Sequence, residues 1–260
     1  MAMATALVTG GSSGIGLAFA HALAARGDDL VLVARDGSRL DAAAQQLRAR
    51  HGVAVETLPA DLSDPAGIRT VEAFIDAHEI DVLVNGAGFA AHADLLDADW
   101  SGHAGALTAM ALAVLVLSGA AGRQMVRRDA GGIVNVASVN ALIDADVYSA
   151  TKRWVVSYTE ALAGRLAGTG VHATVVLPGW ARTNYHAAAG MRRPRLPGWA
   201  WVEPEQVAAE ALAALDAGRV QVTPKAIWRA AAWALRHGPV GLSRLVASKV
   251  RSGHDRQGAR

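Results

Sequence analysis

Thr9-Gly10-Gly11-Ser12-Ser13-Gly14-Ile15-Gly16 is the stretch that decides the fold. It closes the short apolar run Ala6–Thr9 and opens an Ala/Leu-rich run, Ile15–Arg26. Glycines between a strand and a helix let the backbone turn tightly and come close to a pyrophosphate. The helix N-terminus adds free N–H groups and positive potential. The spacing is Gly-x-x-x-Gly-x-Gly rather than G-x-G-x-x-G, and a glycine cluster alone fits an ordinary turn. Its place after the first strand favours nucleotide binding, with Gly10, Ser12, Ser13, Gly14, Ile15 and Gly16 as the candidate contacts.

The pattern continues outward. Leu30–Val33, Val53–Leu58, Val82–Val84, Ile133–Val136 and Thr174–Leu177 read as strands, with Val220–Thr223 as a last one. They are continuous apolar runs, as expected of strands covered on both faces. Helical segments alternate with them: Ile15–Arg26, Ser38–Arg50, Pro65–Ala77, Ala104–Arg128 and Tyr148–Leu166. Ser63 or Asp64 caps the third, with Pro65 in its first turn. Such alternation predicts a doubly wound α/β fold, a parallel sheet with helices on both faces. Residues 179–203 break the pattern with prolines, glycines and Trp180, Trp199 and Trp201, and a helix restarts at Pro204. A loop of that length is functional or mobile. The tail from Lys225 to about Val250 reads as helical, with a break at Gly238-Pro239.

Composition narrows the function classes. With 260 residues, 52% hydrophobic and 18% charged, the chain can bury a core and is not a disordered polyampholyte. It has no cysteine, which excludes disulfides, thiolate metal sites and a cysteine nucleophile. Nine histidines are scattered without paired ligand spacing, so no metal site is expected. The net charge of +2 gives no case for nucleic acid. It divides into −6 for residues 1–218 and +8 for residues 219–260. Met1–Ala4 runs straight into the first strand without a basic leader, so a cytoplasmic protein is expected. Ala104–Gly122 carries no formal charge over 19 residues, yet it lies inside the strand–helix alternation and reads as a buried helix rather than a membrane span.

Two further places carry chemistry. The second strand ends in Ala34-Arg35-Asp36. An acidic residue there suits a ribose 2′-hydroxyl and an arginine suits a 2′-phosphate, so Arg35 points to NADP(H). With Asp36 as the ribose ligand, NAD(H) remains the alternative. The fifth strand ends in Asn135-Val136-Ala137-Ser138, and ten residues later comes Tyr148-Ser149-Ala150-Thr151-Lys152. Tyr148 and Lys152 share one helical face. An ammonium near a phenol favours the phenolate and lowers a pKa that starts near ~10. Tyr148 can then exchange a proton with a carbonyl oxygen that Ser138 also hydrogen-bonds.

These motifs resemble the short-chain dehydrogenase/reductases over roughly residues 4–223. The matching pieces are the Thr9–Gly16 loop, Asp61-Leu62, Asn85-Gly86-Ala87-Gly88, Ser138, Tyr148 with Lys152, and Pro178-Gly179-Trp180-Ala181-Arg182-Thr183. The resemblance implies one Rossmann-like domain of about seven parallel strands, residues 1–223, with the substrate loop 179–203 and a basic helical extension over 224–260. It implies that Asp61 and Leu62 meet the adenine and that Asn85 and Ala87 line the cofactor cleft. Tyr148 would be the acid/base, Lys152 would hold the nicotinamide ribose, and Pro178, Gly179 and Thr183 would reach the carboxamide or a phosphate. Homodimers or homotetramers through the helices at 104–128 and 148–166 are implied too.

Two departures stand out. The position that usually holds a relay asparagine falls on Met110, whose thioether cannot replace an amide. The Ser138–Tyr148 gap is about three residues short, so the 139–147 loop must be tight, with Asp144 and Asp146 expected near the substrate mouth. The expected activity is NADP(H)-dependent interconversion of a carbonyl and an alcohol on an apolar substrate, such as a β-ketoacyl or other lipid-like ketone. The alternative is a catalytically silent nucleotide-binding sensor or partner protein. The tail sets Ile227, Ala231, Ala234 and Leu235 on one helical face, with Trp228 and Trp233 at a boundary. Packing on the core or on a second subunit is the leading expectation for it; an anionic membrane surface is the other.

Overall fold

A computed structural model describes residues 4–89, 95, 96, 98–183, 197–238 and 246 of the protein. Strands β1 (Thr5–Thr9), β2 (Asp29–Ala34), β3 (Val55–Pro59), β4 (Val82–Asn85), β5 (Gly131–Val136), β6 (Val171–Val176) and β7 (Gln221–Val222) form one sheet. Its order is β3-β2-β1-β4-β5-β6-β7, and every pairing is parallel. Helices α1 (Gly14–Ala24), α2 (Gly37–His51), α3 (Pro65–Ala77), α4 (Ser101–Leu107), α5 (Ala113–Arg128), α6 (Val147–Leu166), α7 (Pro204–Asp216) and α8 (Ala226–His237) connect or follow the strands.

The apolar runs alternate their faces as a pleated strand must. Ala6 and Val8 of β1 point to the layer of α1, α2 and α7, where they meet Phe19, Leu23, Leu40, Leu47 and Leu212. Leu7 points the other way, toward Ile68, Val71 and Ile75 of α3 and Leu117 and Met125 of α5. Covering both faces is what makes each strand apolar at successive positions.

Three of the eight α-helices, α2, α3 and α6, start on an aspartate whose side chain caps them. Asp36 accepts from Arg39 N at the start of α2, and Asp64 accepts from Ala66 N at the start of α3, so Asp64 rather than Ser63 is the cap. The charge-poor stretch is a core element: Leu117, Ala120 and Ala121 are fully buried between the sheet and α3. Helix 101–128 is long and apolar enough to cross a membrane by composition alone, as core helices often are. It is not the single regular helix expected. It begins at Ser101 and opens into a π-turn over Thr108–Leu112. The Thr108 hydroxyl donates to the Ala104 carbonyl at 2.9 Å, a back-bond of the kind that bends helices.

Register places the functional edge. Thr9 lies opposite Asn85, and Asn85 opposite Asn135, so β1, β4 and β5 end together. The strand order reverses between β1 and β4, which opens a crevice at their carboxyl ends. Below that edge sits a buried polar network. Asn85 Nδ2 donates to Ser118 Oγ at 3.0 Å and to Asn135 Oδ1 at 2.9 Å. Asn135 Nδ2 donates to Thr159 Oγ1 at 2.9 Å, which ties β4, β5, α5 and α6 together. Replacing Asn135 by leucine leaves the Asn85 amide and the Thr159 hydroxyl short of partners, at a cost of about 1–3 kcal/mol. A urea titration of Asn135→Leu is expected to show a lower midpoint with an unchanged slope.

Candidate active site

The glycine loop is a cradle that only small residues can make. Gly10 and Gly14 have φ of +70° and +56°. A Cβ on Gly16 would lie 2.2 Å from the Gly10 carbonyl oxygen, so the loop closes tightly onto the start of α1. Ser13 is the N-cap of α1 and makes no side-chain capping bond. That leaves the first-turn N–H groups for an anion, and the cradle fits a dinucleotide pyrophosphate. Thr9 adds a contact that sequence reading missed. Its buried Oγ1 accepts from Gly86 N at 3.1 Å and from Ala87 N at 3.2 Å, tying the Asn85–Gly88 segment to the glycine loop.

Arg35 leaves the end of β2 between two walls. Its guanidinium stands 3.9 Å from Asp61 and 5.6 Å from the Phe89 ring centroid. Asp36 is drawn into the start of α2. Its carboxylate accepts from Ser38 Oγ at 2.7 Å and Arg39 N at 3.1 Å, and the Ser38 bond leads in lowering its pKa. At the end of β2, Asp36 therefore caps the helix while Arg35 faces Asp61 and Phe89. Asp61 accepts from Ser63 N and Oγ, and Leu62 is buried beside it.

Lys152 is the electrostatic centre. It is 5% exposed, and its Nζ donates to the Val136 carbonyl at 2.8 Å. Burial lowers its pKa from 10.5 to about 8. The Tyr148 ring lies one turn back on α6, its centroid 5.7 Å from Nζ. Tyr148 is in the first turn of α6, where the helix dipole favours negative charge. Met110 enters from the π-turn: a Cβ on Gly88 would lie 3.2 Å from Met110 Sδ and 3.6 Å from Lys152 Nζ. The thioether and the ammonium thus both border Gly88, and a thioether offers no strong acceptor.

The short 139–147 loop is tight but ordered. Ser138 caps a 3-10 turn over Val139–Leu142 by accepting from Asn140 N at 3.1 Å, which leaves its own O–H to donate. Arg153 holds the Ala141 carbonyl at 2.9 Å and Asp144 at 2.6 Å. Asp146 caps α6 through Ser149 N. Asp144 and Asp146 thus also hold the loop's structure. Asn85 spends its Nδ2 on the buried network below the edge.

Pro178 follows β6 and accepts from Val139 N at 3.0 Å, which joins this loop to Ser138's turn. Thr183 Cγ2 would lie 3.2 Å from a Cβ on Gly14, so the segment after Gly179 reaches back over the cradle. Residues 90–94 and most of the loop, 184–196, lie outside the described residues, as does the tail beyond 238 except Val246. Within the described tail, α8 packs on the protein through Trp228, Ala232 and Leu235 rather than through Ile227. The indole brings the largest apolar area, and it finds a carbonyl partner at Ala200.

The Lys152 environment sets a pH dependence. Its folded pKa lies below its unfolded value, so the unfolded state holds more protons between about pH 8 and 10.5. The cost of burying the charge is present below pH 8 and is relieved as pH rises through that range. Urea melts of the wild type and Lys152→Met from pH 7 to 10 are expected to show the wild type gaining stability relative to the variant. A difference independent of pH would contradict the buried amine.

Comparison with known proteins agrees with this arrangement. A family model for the short chain dehydrogenases matches residues 4–193. Galactitol 2-dehydrogenase (L-tagatose-forming) from Cereibacter sphaeroides is 35% identical over 223 residues, which is 80% of this chain and 86% of the relative. Ketoacyl reductase HetN from Nostoc sp. is 32% identical over 205 residues, 75% of this chain and 69% of that protein. A short-chain dehydrogenase from Sphingobium yanoikuyae, solved in complex with NADPH, superposes with a TM-score of 0.80 at 35% identity, covering 90% of this chain and 94% of that one. With its seven-stranded parallel sheet and a cradle suited to a nicotinamide dinucleotide, the chain belongs to the short-chain dehydrogenase/reductase family and is an oxidoreductase.

Proposed function

We propose that the protein is an NADP(H)-dependent ketoreductase that interconverts a carbonyl and an alcohol on an apolar substrate. The observation that carries this reading is the buried Lys152 ammonium, fixed by the Val136 carbonyl one helical turn from Tyr148. A nicotinamide held at this edge would supply or accept the hydride. Tyr148 gives the substrate oxygen its proton in reduction and takes it back in oxidation, and Lys152 stabilises the phenolate between the two. Ser138 donates its free O–H to the same oxygen. Asp61, Leu62 and Ala87 flank the adenosine half, and Pro178, Gly179 and Thr183 close over the other.

Arg35 supports the preference for a 2′-phosphate, because Asp36 is engaged at the start of α2. Trp180 and Trp201, whose rings meet edge to face at 6.5 Å, support an apolar pocket wall. The ketoacyl reductase relative is in keeping with a β-ketoacyl or lipid-like ketone, and the galactitol dehydrogenase makes polyols the competing class. The partly exposed Leu107, Leu112, Leu115 and Trp154 on α4, its π-turn, α5 and α6 suit a homodimer or homotetramer.

Met110 favours one second reading, a silent nucleotide-binding protein. Tyr148→Phe separates the two. In the enzyme reading its ketone-dependent NADPH oxidation falls by about 100-fold or more. Equal rates in wild type and variant would support the silent protein. A panel of β-ketoacyl thioesters and long-chain ketones against sugars tests the substrate class; turnover of sugars alone would overturn the apolar reading. Arg35→Asp is expected to weaken NADPH binding by roughly 10- to 100-fold while leaving NADH nearly unaffected, the scale of one lost charged contact.

A further inference from the structure

The Trp228 indole lies flat against the Gly179 backbone. A Cβ built on Gly179 would fall 2.2 Å from Trp228 Cε2 and 2.3 Å from Nε1, inside the ring system. The same indole donates through Nε1 to the Ala200 carbonyl at 2.8 Å. It also packs on the cluster that holds Ala137, Val139 and Ala141, the residues on both sides of Ser138. One side chain of α8 thus touches the chain where it leaves β6 and where it returns at residue 200, and it packs on the apolar cluster that includes the serine turn's neighbours.

These contacts form the neck of the 179–203 loop. Ala181 and Val202 form a bridge, with Arg182 N donating to the Val202 carbonyl and Val202 N to the Trp180 carbonyl, both at 2.9 Å. Arg182 pairs with Glu203 at 2.9 Å. Lys225, just before α8, donates from Nζ to the Trp201 carbonyl, and Arg229 pairs with Glu210 at 3.3 Å. Two residues beyond Ala181, Thr183 rests against Gly14 of the cradle.

We propose that Trp228 is a positioning residue. Wedged between Gly179 and Ala200, it fixes the neck of the substrate loop and so holds Thr183 over the cofactor cradle and Ser138 at the reacting end. This assigns α8 a part in building the site from outside it, and it rests on the cofactor reading given above. Glycine is required at 179 because the indole occupies the space of a side chain.

Three variants test the wedge: Trp228→Ala, Gly179→Ala and the double variant. NADPH affinity is read directly by fluorescence titration, together with KM and kcat for a ketone that the wild type reduces. All are measured well below each variant's thermal midpoint. Each single change is expected to raise the NADPH Kd about tenfold or more, the scale on which a misplaced binding group acts. The double variant is expected to recover to within about threefold of wild type, because the new methyl enters the space the indole leaves. Trp228→Phe, which keeps the stacking and loses the bond to Ala200, is expected to fall between wild type and Trp228→Ala. It also decides the matter if the alanine variant does not fold.

A folded Trp228→Ala or Trp228→Phe that binds NADPH and ketone as the wild type does would overturn the role of Trp228 alone. A double variant no better than the worse single variant would do the same. Failure of the wild type to bind NADPH would overturn the cofactor reading and this role with it.

Discussion

The row Val33, Thr9, Asn85, Asn135 and Val175 runs across five parallel strands, each residue opposite the next. That register is the constraint on which the site depends. Because the side-chain period of a strand is two, a slip of one residue would turn Asn85 and Asn135 toward the opposite helix layer and break their shared network. It would also separate the glycine loop from the Gly86–Ala87 amides that Thr9 holds. The polar row Thr9, Asn85 and Asn135 is buried and costly to leave unpaired, which is why it can specify register where the surrounding apolar residues cannot.

A second cost is concentrated at Lys152. The amine is buried against one carbonyl, and burial alone pushes its pKa down. A group held at such expense is poised between charge states near neutral pH, which suits a device that stabilises a phenolate transiently. Met110 sharpens this. With the Met110 thioether bordering Gly88, the Val136 carbonyl is the hydrogen-bond partner of Nζ among the described residues.

Much of this was legible in the chain itself. The glycine loop, the continuous apolar strands and Tyr148 with Lys152 are local patterns whose spacing encodes geometry; the strands gave the sheet, and the other two gave the candidate site at its edge. The helix at Ala104–Arg128 was legible as a core helix, but its π-turn was not, because a single threonine back-bond leaves no periodic trace. The partners of Asn85 and Asp146 were not legible for a related reason: Asn135 at 50 residues' distance and Ser149 at a helix start are chosen by packing and capping. Trp228 read as a boundary residue on a basic helix. Only the fold brings it to Gly179, about fifty positions earlier in the chain, and a glycine in a Pro-Gly pair already has an ordinary explanation as a turn.

The central claim is that the carboxyl edge of this sheet holds NADPH with its reacting end at Tyr148 and Lys152. A crystal structure of the protein grown with NADPH tests it most directly. Density for the 2′-phosphate against Arg35, the pyrophosphate on the N-terminus of α1 and the nicotinamide ribose within hydrogen-bond reach of Lys152 Nζ is the expected result. A dinucleotide bound elsewhere, or one whose nicotinamide lies away from Tyr148, would contradict it.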